Sequence, residues 1–339
     1  MSIIKGVFWN SVEKRVRAGW RIVLYTLLWI FAPILVAQAV GDWLALPLIS
    51  VFPTVAGFAP HAVVILLRLV VVILVTWLVA WFIDRRPVRE YGLWLDRGWW
   101  LDFGFGLTLG AALMAFVFVV EWLAGWVVVT AAVEVTIPGV AFGTAILGAL
   151  LLFIVVGITE ELLARGYHLR NLAEGFDFGP VGAQGAVLLA WLLSSSLFGL
   201  LHVFNPNATW YSTFALMVAG LFLGLGFVLT GSLAIPIGLH ITWNFFQGNV
   251  FGFPVSGNTF DSATFIAIRQ QGPPLWTGGA FGPEAGLLGM LAIVLGSVLT
   301  LIWVRWHYGQ VRLQTELAEY RRTDAAPVHL VEQQETGDW

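Results

Sequence analysis

The sequence contains no cysteine and few charged residues. Without thiols the chain can form neither disulfide bonds nor Cys-ligated metal sites, and a cysteine nucleophile is excluded. Asp, Glu, Lys and Arg make up 11% of the 339 residues, against roughly 25% in an ordinary soluble domain. The hydrophobic fraction is 59%, and the net charge of -3 gives no indication of a nucleic-acid partner. This composition indicates an integral membrane protein whose main partner is the lipid bilayer.

Eight segments are apolar over the roughly 20 residues that a membrane-spanning helix needs. We therefore predict an all-α, polytopic transmembrane bundle of about eight spans. A signal peptide is the alternative for the first span, because residues 37–39 read AQA, but its long basic leader favours an uncleaved anchor. The predicted spans cover residues 22–40, 61–83, 103–129, 142–160 with a helical continuation, 181–202, 210–230, 233–253 and 285–306.

Basic residues are concentrated on one side of these predicted spans. Arginine and lysine precede span one and follow spans two, four and eight, whereas the opposite loops hold only Arg269. The positive-inside rule then places both termini in the cytoplasm, with the chain in the plasma membrane if its source is prokaryotic. Residues 1–21 form a cytoplasmic leader, residues 84–100 a cytoplasmic loop, and residues 307–339 a polar tail that we expect to be a solvated helix fraying into disorder.

Two adjacent glutamates end the apolar run of span four, where a central carboxylate costs at least about 2.5 kcal/mol. Glu161 and Arg165 are four apart on a helix, with the acid first, which favours an ion pair. Glu160 lies about 100° around the same helix, so Arg165 cannot readily serve both carboxylates. An unpaired Glu160 could act as a general base. The alternative is a structural role, in which both glutamates cap a helix or form ion pairs at the membrane interface near Arg165 and Arg170.

Three further polar residues lie in or beside the later spans. His202 ends an apolar helix one turn after Phe198, and His240 and Asn244 are four apart, on one face of span seven. Polar side chains at lipid depth are expected to face a protein or water-filled interior. The glycine pairs 106/110 and 220/224 predict close helix packing.

The three patterns EELLAR, FGLLH and HITWN, in this order, resemble the CAAX-protease and bacteriocin-processing (CPBP) family of intramembrane endopeptidases, also called the type II CAAX prenyl protease or Abi family. The stretch RRPVREYGL after span two is similar to one common upstream of that family's core. The resemblance covers residues 142–253, which would form the catalytic core between the N-terminal spans of residues 22–141 and a loop with span eight at residues 254–306.

The resemblance implies hydrolysis of a peptide bond, in a membrane protein or a membrane-associated peptide, inside an intramembrane cavity. Carried over by position, Glu160 would activate the attacking water with help from His202. His240 and Asn244 would stabilise the oxyanion, and Glu161 with Arg165 would fix the geometry. The alternative is a non-catalytic membrane scaffold or immunity protein, or a proton-coupled transporter, because intramembrane Glu and His also mark proton relays.

A metal is a second open question. Glu160, His202 and His240 would make a two-His, one-carboxylate set, which is a legitimate catalytic zinc site. The chain lacks the HExxH motif that would be the strong zinc signal. Members of the family are often called metalloproteases, and a water activated by glutamate without metal is also argued for relatives. We favour the metal-free version.

Straight helices would keep the predicted site residues apart. His202 would lie near the outer end of span five, while Glu160 and His240 would lie nearer the cytoplasm, and twenty helical residues cover about 30 Å. We therefore expect the span-four helix to continue past Glu160 to about Leu172. We also expect Pro236 and Gly238 to let the start of span seven run non-helically, which would carry His240 deeper.

Overall fold

The computed structural model describes residues 6–51, 59–260 and 262–320 and is 72% helical. Eight long helices occur within these ranges, and two of the eight continue in a π-helical turn while a third contains one. They are α1 (Ala18–Val51), α2 (Ala59–Val79, continued by Ala80–Asp84), α3 (Arg97–Leu123), α4 (Phe142–Phe176, π-helical over Leu162–Leu169), α5 (Gly182–Leu201), α6 (Trp210–Thr230), α7 (Ala234–Phe245, continued by Phe246–Val250) and α8 (Leu287–Tyr308).

Seven of the described helices are long and apolar enough to cross a membrane, judged by length and composition. The exception is α7, which is shorter than the span predicted at 233–253. The predicted all-α, polytopic bundle is confirmed, with seven candidate spans in place of eight. The chain is therefore a multi-pass membrane protein.

Two small antiparallel sheets accompany the helices. Strand β1 (Trp9–Asn10) pairs with β2 (Arg15–Val16), and β3 (Val127–Val135) pairs with β4 (Ala263–Gln270). The prediction that span three reaches residue 129 is wrong, because α3 ends at Leu123 and Gly125 turns the chain with a φ of 72°. The valine-rich run after this turn is β-branched, which favours a strand over a helix.

One end of the bundle, here called the arginine end, is held by buried ion pairs. The Glu174 carboxylate lies 2.7 Å from Arg15, 3.3 Å from Arg21 and 2.5 Å from Arg86. Arg21 also pairs with Asp84 at 3.1 Å. These contacts join the N-terminal segment, the start of α1, the end of α2 and the end of α4. Helix termini that are distant in sequence therefore lie together at this end of the bundle.

The described part of the polar tail packs against this arginine end. Residues Thr315–Ala318 form a single 3-10 turn in which Leu317 and Ala318 are buried, and the Arg15 guanidinium lies 3.3 Å from the centre of the Tyr320 ring. The expectation of a solvated helix is therefore wrong for residues 309–320, because apolar side chains of this segment pack against the bundle and are not solvated. Residues 321–339 lie outside the described part of the chain.

Glycines let the helices around the site approach closely. A Cβ atom on Gly106 of α3 would lie 2.5 Å from the Ile235 carbonyl oxygen of α7, and Gly110 is in similar contact with α7. Gly220 and Gly224 of α6 lie against α5 in the same way. The close packing predicted from both glycine pairs is confirmed.

The start of α7 is helical through Pro236 and Gly238, which corrects the expectation of a non-helical entry. Pro236 sits in the first turn, where its missing N–H would have no intrahelical partner in any case. The helix instead begins inside the bundle. Leu233 and Ala234 are fully buried, and the Leu233 N–H donates to the Gly92 carbonyl at 2.9 Å. Because α7 begins at a buried residue, His240 further along the same helix is buried inside the bundle as well.

Candidate active site

A cavity of about 400 Å³ lies inside the bundle, with walls from α1 and from α4 to α8. Glu160, His202, His240 and Asn244 all line it. Straight helices were expected to keep these four residues apart. They share one cavity nevertheless, because α4 continues past Glu160 to Phe176 and α7 starts inside the bundle. The structure thus brings an acid, two imidazoles and an amide from three parts of the chain to one chamber.

The two adjacent glutamates have different surroundings. Glu161 is fully buried, and its Oε1 accepts hydrogen bonds from Arg165 Nη1 at 2.8 Å and from His240 Nδ1 at 2.7 Å. Glu160 is half-buried and forms no hydrogen bond or ion pair with any described residue. Arg170 binds Glu174 at 3.5 Å and does not bridge to either. The free carboxylate in the chamber is therefore Glu160.

Arg165 links three helices beneath the cavity. Its Nη1 binds Glu161 within α4, and its Nη2 donates to the Gly220 carbonyl of α6 at 2.8 Å. The guanidinium also lies 4.6 Å from the centre of the Phe198 ring of α5. Because the arginine is buried and bound on each side, it fixes the position of the Glu161 carboxylate.

Phe198 aligns both imidazoles. Its backbone carbonyl accepts a hydrogen bond from His202 Nδ1 at 2.7 Å, and its ring lies 4.8 Å from the His202 ring and 6.1 Å from the His240 ring. A carbonyl can only accept, so the proton of neutral His202 is on Nδ1. The Nε2 atom of His202 then carries a lone pair.

His240 and Asn244 follow each other by one turn on α7. His240 uses Nδ1 to bind Glu161, which leaves Nε2 for a second partner. Asn244 is half-buried in the cavity wall and forms no hydrogen bond with the described residues. Its amide can therefore donate to a group bound in the chamber.

The close approach of α4 and α7 depends on Gly157. A Cβ atom at this position would lie 2.7 Å from Ile241 Cγ1 and 3.3 Å from the Ile241 backbone nitrogen. Only glycine allows the two helix backbones to come this near, and this approach keeps Glu161 within hydrogen-bond distance of His240.

The residues considered for zinc, Glu160, His202 and His240, share the cavity but do not converge on one point. Among the described residues, no three His, Asp or Glu side chains are placed to hold a single metal ion. One ring nitrogen of each histidine is hydrogen-bonded within the protein, which leaves Nε2 of both available to a bound group. Because the described residues hold no group of three placed for one metal ion, no step below is routed through a metal.

Two titratable cavity residues were missed from the sequence. His168 of α4 lines the chamber, seven residues after Glu161, and this helical spacing was an available signal. Glu284, just before α8, is buried in the outer wall, where Ser256 and Gln247 donate hydrogen bonds to it. Burial raises the pKa of Glu284 to about 7. No motif marks Glu284, because its partners, Gln247 in the continuation of α7 and Ser256 in a loop, lie far from it in sequence.

Membrane-spanning helices that hold an unpaired carboxylate, two imidazoles and an amide around one chamber define a candidate hydrolase of the intramembrane class. Residues 141–246 match a family model described as type II CAAX prenyl endopeptidase Rce1-like. This segment, about a third of the chain, is similar to that family, and the resemblance predicted from the three motifs is confirmed.

The matched segment begins at the start of α4, ends with α7 and contains all three motifs. The match supports an intramembrane endopeptidase of the CAAX type as the general activity. The searches of curated proteins and of solved structures returned no match.

Proposed function

We propose that this protein hydrolyses a peptide bond of a membrane-associated protein or peptide by means of a water molecule activated by Glu160. One observation carries the proposal: the Glu160 carboxylate forms no hydrogen bond or ion pair with the described residues and shares its chamber with His202, His240 and Asn244. The neighbouring carboxylate of Glu161 instead binds Arg165 and His240 through its Oε1 atom.

The first step is the attack of water on the scissile carbonyl carbon. Glu160 takes one proton from the water as the new C–O bond forms, and the Nε2 lone pair of His202 accepts a hydrogen bond from the second proton. A positioned general base of this kind contributes about 10²- to 10⁴-fold in rate. The bond from His202 Nδ1 to the Phe198 carbonyl supports this role because it fixes the tautomer.

The second requirement is stabilisation of the oxyanion. Asn244 donates an amide N–H to it directly. His240 donates from Nε2 only when both ring nitrogens are protonated, because its Nδ1 proton is used by Glu161. Glu161 stabilises that imidazolium as the buried aspartate of a serine-protease triad stabilises its histidine. Each donor is worth roughly 3 to 4 kcal/mol in a dry site.

The tetrahedral intermediate then collapses. The C–N bond breaks as the proton held by Glu160 passes to the leaving nitrogen, which yields a new carboxyl group and a new amine and restores the Glu160 carboxylate. Trp29, Phe153 and Leu201 contribute apolar walls. These walls suit an apolar segment, which prenylated peptides, the leaders of secreted peptides and membrane proteins all offer.

A comparison of protein termini tests the proposal. Membrane fractions from cells lacking the protein are complemented with wild type, with Glu160→Gln or with Glu121→Gln, and new N-termini are quantified by mass spectrometry. Glu121 is the matched control, because it is a buried carboxyl residue of α3 that does not line the cavity. We expect termini that depend on wild type to persist with Glu121→Gln and to disappear with Glu160→Gln at equal membrane levels. A scaffold, an immunity protein or a transporter would show no such termini with any form.

A further inference from the structure

His168 lies in the cavity wall outside the three motifs. It belongs to the π-helical part of α4, its ring is 3% exposed, and it lines the same chamber as Glu160. The mechanism above does not use it. A buried imidazole in the wall of a reaction chamber needs a hydrogen-bond partner at each nitrogen, or the unpaired atom carries a desolvation cost.

The hydrogen bonds of α1 fix the proton of His168. The Thr26 hydroxyl donates its proton to the Ile22 carbonyl at 2.8 Å, so its oxygen is left as an acceptor for His168 Nε2, which lies 2.7 Å away. Neutral His168 therefore carries its proton on Nε2 and a lone pair on Nδ1. Nδ1 forms no hydrogen bond with any described residue, so the chamber holds an acceptor without a protein partner.

A bound peptide brings the complementary group. Backbone N–H donors of a substrate lose water when they enter an apolar chamber, and each then needs an acceptor. The Nδ1 atom of His168 is a neutral acceptor, so it can meet an N–H donor without introducing a second charge beside Glu160. A substrate N–H and the His168 lone pair would each satisfy the other.

We infer that His168 is a substrate-binding residue that accepts, at Nδ1, a hydrogen bond from a backbone N–H of the bound peptide. The inference rests on the proposed function. His168 follows Glu160 by eight residues, which is at most about 12 Å along α4, because the π-helical part of this stretch rises less per residue than an α-helix. An extended peptide advances about 3.3 Å per residue, so the N–H in question lies within four residues of the scissile bond.

The rival role for His168 is a tether between α1 and α4 through Thr26. Two substitutions separate these roles. Asparagine places an acceptor oxygen near the position of Nδ1 but does not reach Thr26. Glutamine reaches the position of Nε2 and can still donate to Thr26, but it leaves nothing at the position of Nδ1. A substrate contact therefore requires His168→Asn to retain function, whereas a tether requires His168→Gln to do so.

The test measures kcat and KM with a synthetic peptide that spans a cleavage site mapped by the terminus comparison, using full-length protein in liposomes. We expect His168→Gln to raise KM about tenfold, the effect of one lost hydrogen bond, with kcat within twofold of wild type. His168→Asn should keep KM within about threefold. The reverse order, with His168→Gln near wild type and His168→Asn impaired, would overturn the inference in favour of the tether.

A change in the substrate covers the case in which neither variant accumulates. Depsipeptides that replace one N–H by an ester oxygen, at each position within four residues on either side of the scissile bond, remove the donor and leave the protein intact. With wild type, one of these esters should raise KM about tenfold. Equal KM values for all esters would overturn the inference. Loss of cleavage in Glu160→Gln together with unchanged KM in His168→Gln would refute this inference alone and leave the proposed function standing.

Discussion

Glu161 accepts a hydrogen bond from His240 Nδ1 at 2.7 Å, although 79 residues separate the two in sequence. This contact joins the first motif, on α4, to the third motif, on α7. It also assigns the protons, because the carboxylate must accept and the imidazole must donate. With Glu161 bound by His240 and Arg165, the adjacent Glu160 is, among the described residues, the one that offers a free carboxylate to the chamber.

Glu161→Gln should lower kcat about 100-fold or more, with a smaller change in KM. The amide can donate to His240 and thereby favour the wrong tautomer, as in the corresponding change in a serine-protease triad. It also removes the carboxylate that forms the ion pair with buried Arg165, so thermal stability in detergent should fall. The measurement is steady-state peptide hydrolysis together with a melting curve. A stable variant with wild-type kcat would contradict the positioning role.

Asn244→Ala should lower kcat by about 10²- to 10³-fold while KM changes little, because the lost amide acts only on the charge that develops in the transition state. The half-buried side chain has no hydrogen bond to the described residues, so its removal should leave the melting temperature within a few degrees of wild type. Steady-state kinetics and a melting curve on one preparation check both expectations. A rise in KM at constant kcat would instead assign Asn244 to substrate binding.

The stability of the fold should fall as pH rises from about 4.5 to about 7, because burial raises the pKa of Glu284 from the ordinary value of 4.5 to about 7. Between these values the folded protein holds a proton that the unfolded chain has lost, so a rise in pH favours unfolding. Melting temperatures at about pH 5 and about pH 8 measure this slope. Glu284→Gln cannot ionise and should flatten it. Equal slopes for variant and wild type would show that Glu284 is not the group responsible.

Chelators of divalent metals should leave peptide hydrolysis unchanged. The described carboxylates and imidazoles include no group of three placed to hold one ion, and the proposed base is a carboxylate. The measurement is activity in liposomes after prolonged incubation with excess 1,10-phenanthroline, with a known zinc peptidase as a positive control. Loss of activity that added zinc restores would replace the metal-free mechanism by a zinc-dependent one.

Local patterns in the sequence predicted most of the helical frame and the motif pairs. The i, i+4 spacing of Glu161 with Arg165 and the placement of His240 and Asn244 on one face of α7 depend on helix geometry alone. The close packing at Gly106 and Gly110 likewise follows from residue size. Each of these features involves residues near one another in sequence, which is why one chain was sufficient to predict them.

The remaining features depend on long-range contacts. The contact of His240 with Glu161 depends on the packing of α7 against α4, and the start of α7 is bound to the Gly92 carbonyl through Leu233. Hydropathy could not separate the valine-rich strand β3 from the end of span three. His168 meets Thr26 across 142 residues, and no local pattern records such a contact.

The most direct test of the central claim is the turnover of a mapped peptide substrate by purified Glu160→Gln in liposomes, beside wild type and Glu121→Gln. If Glu160 is the general base, kcat falls about 10²- to 10⁴-fold in Glu160→Gln, KM stays close to wild type, and Glu121→Gln retains full activity. A kcat for Glu160→Gln within twofold of wild type would contradict the account.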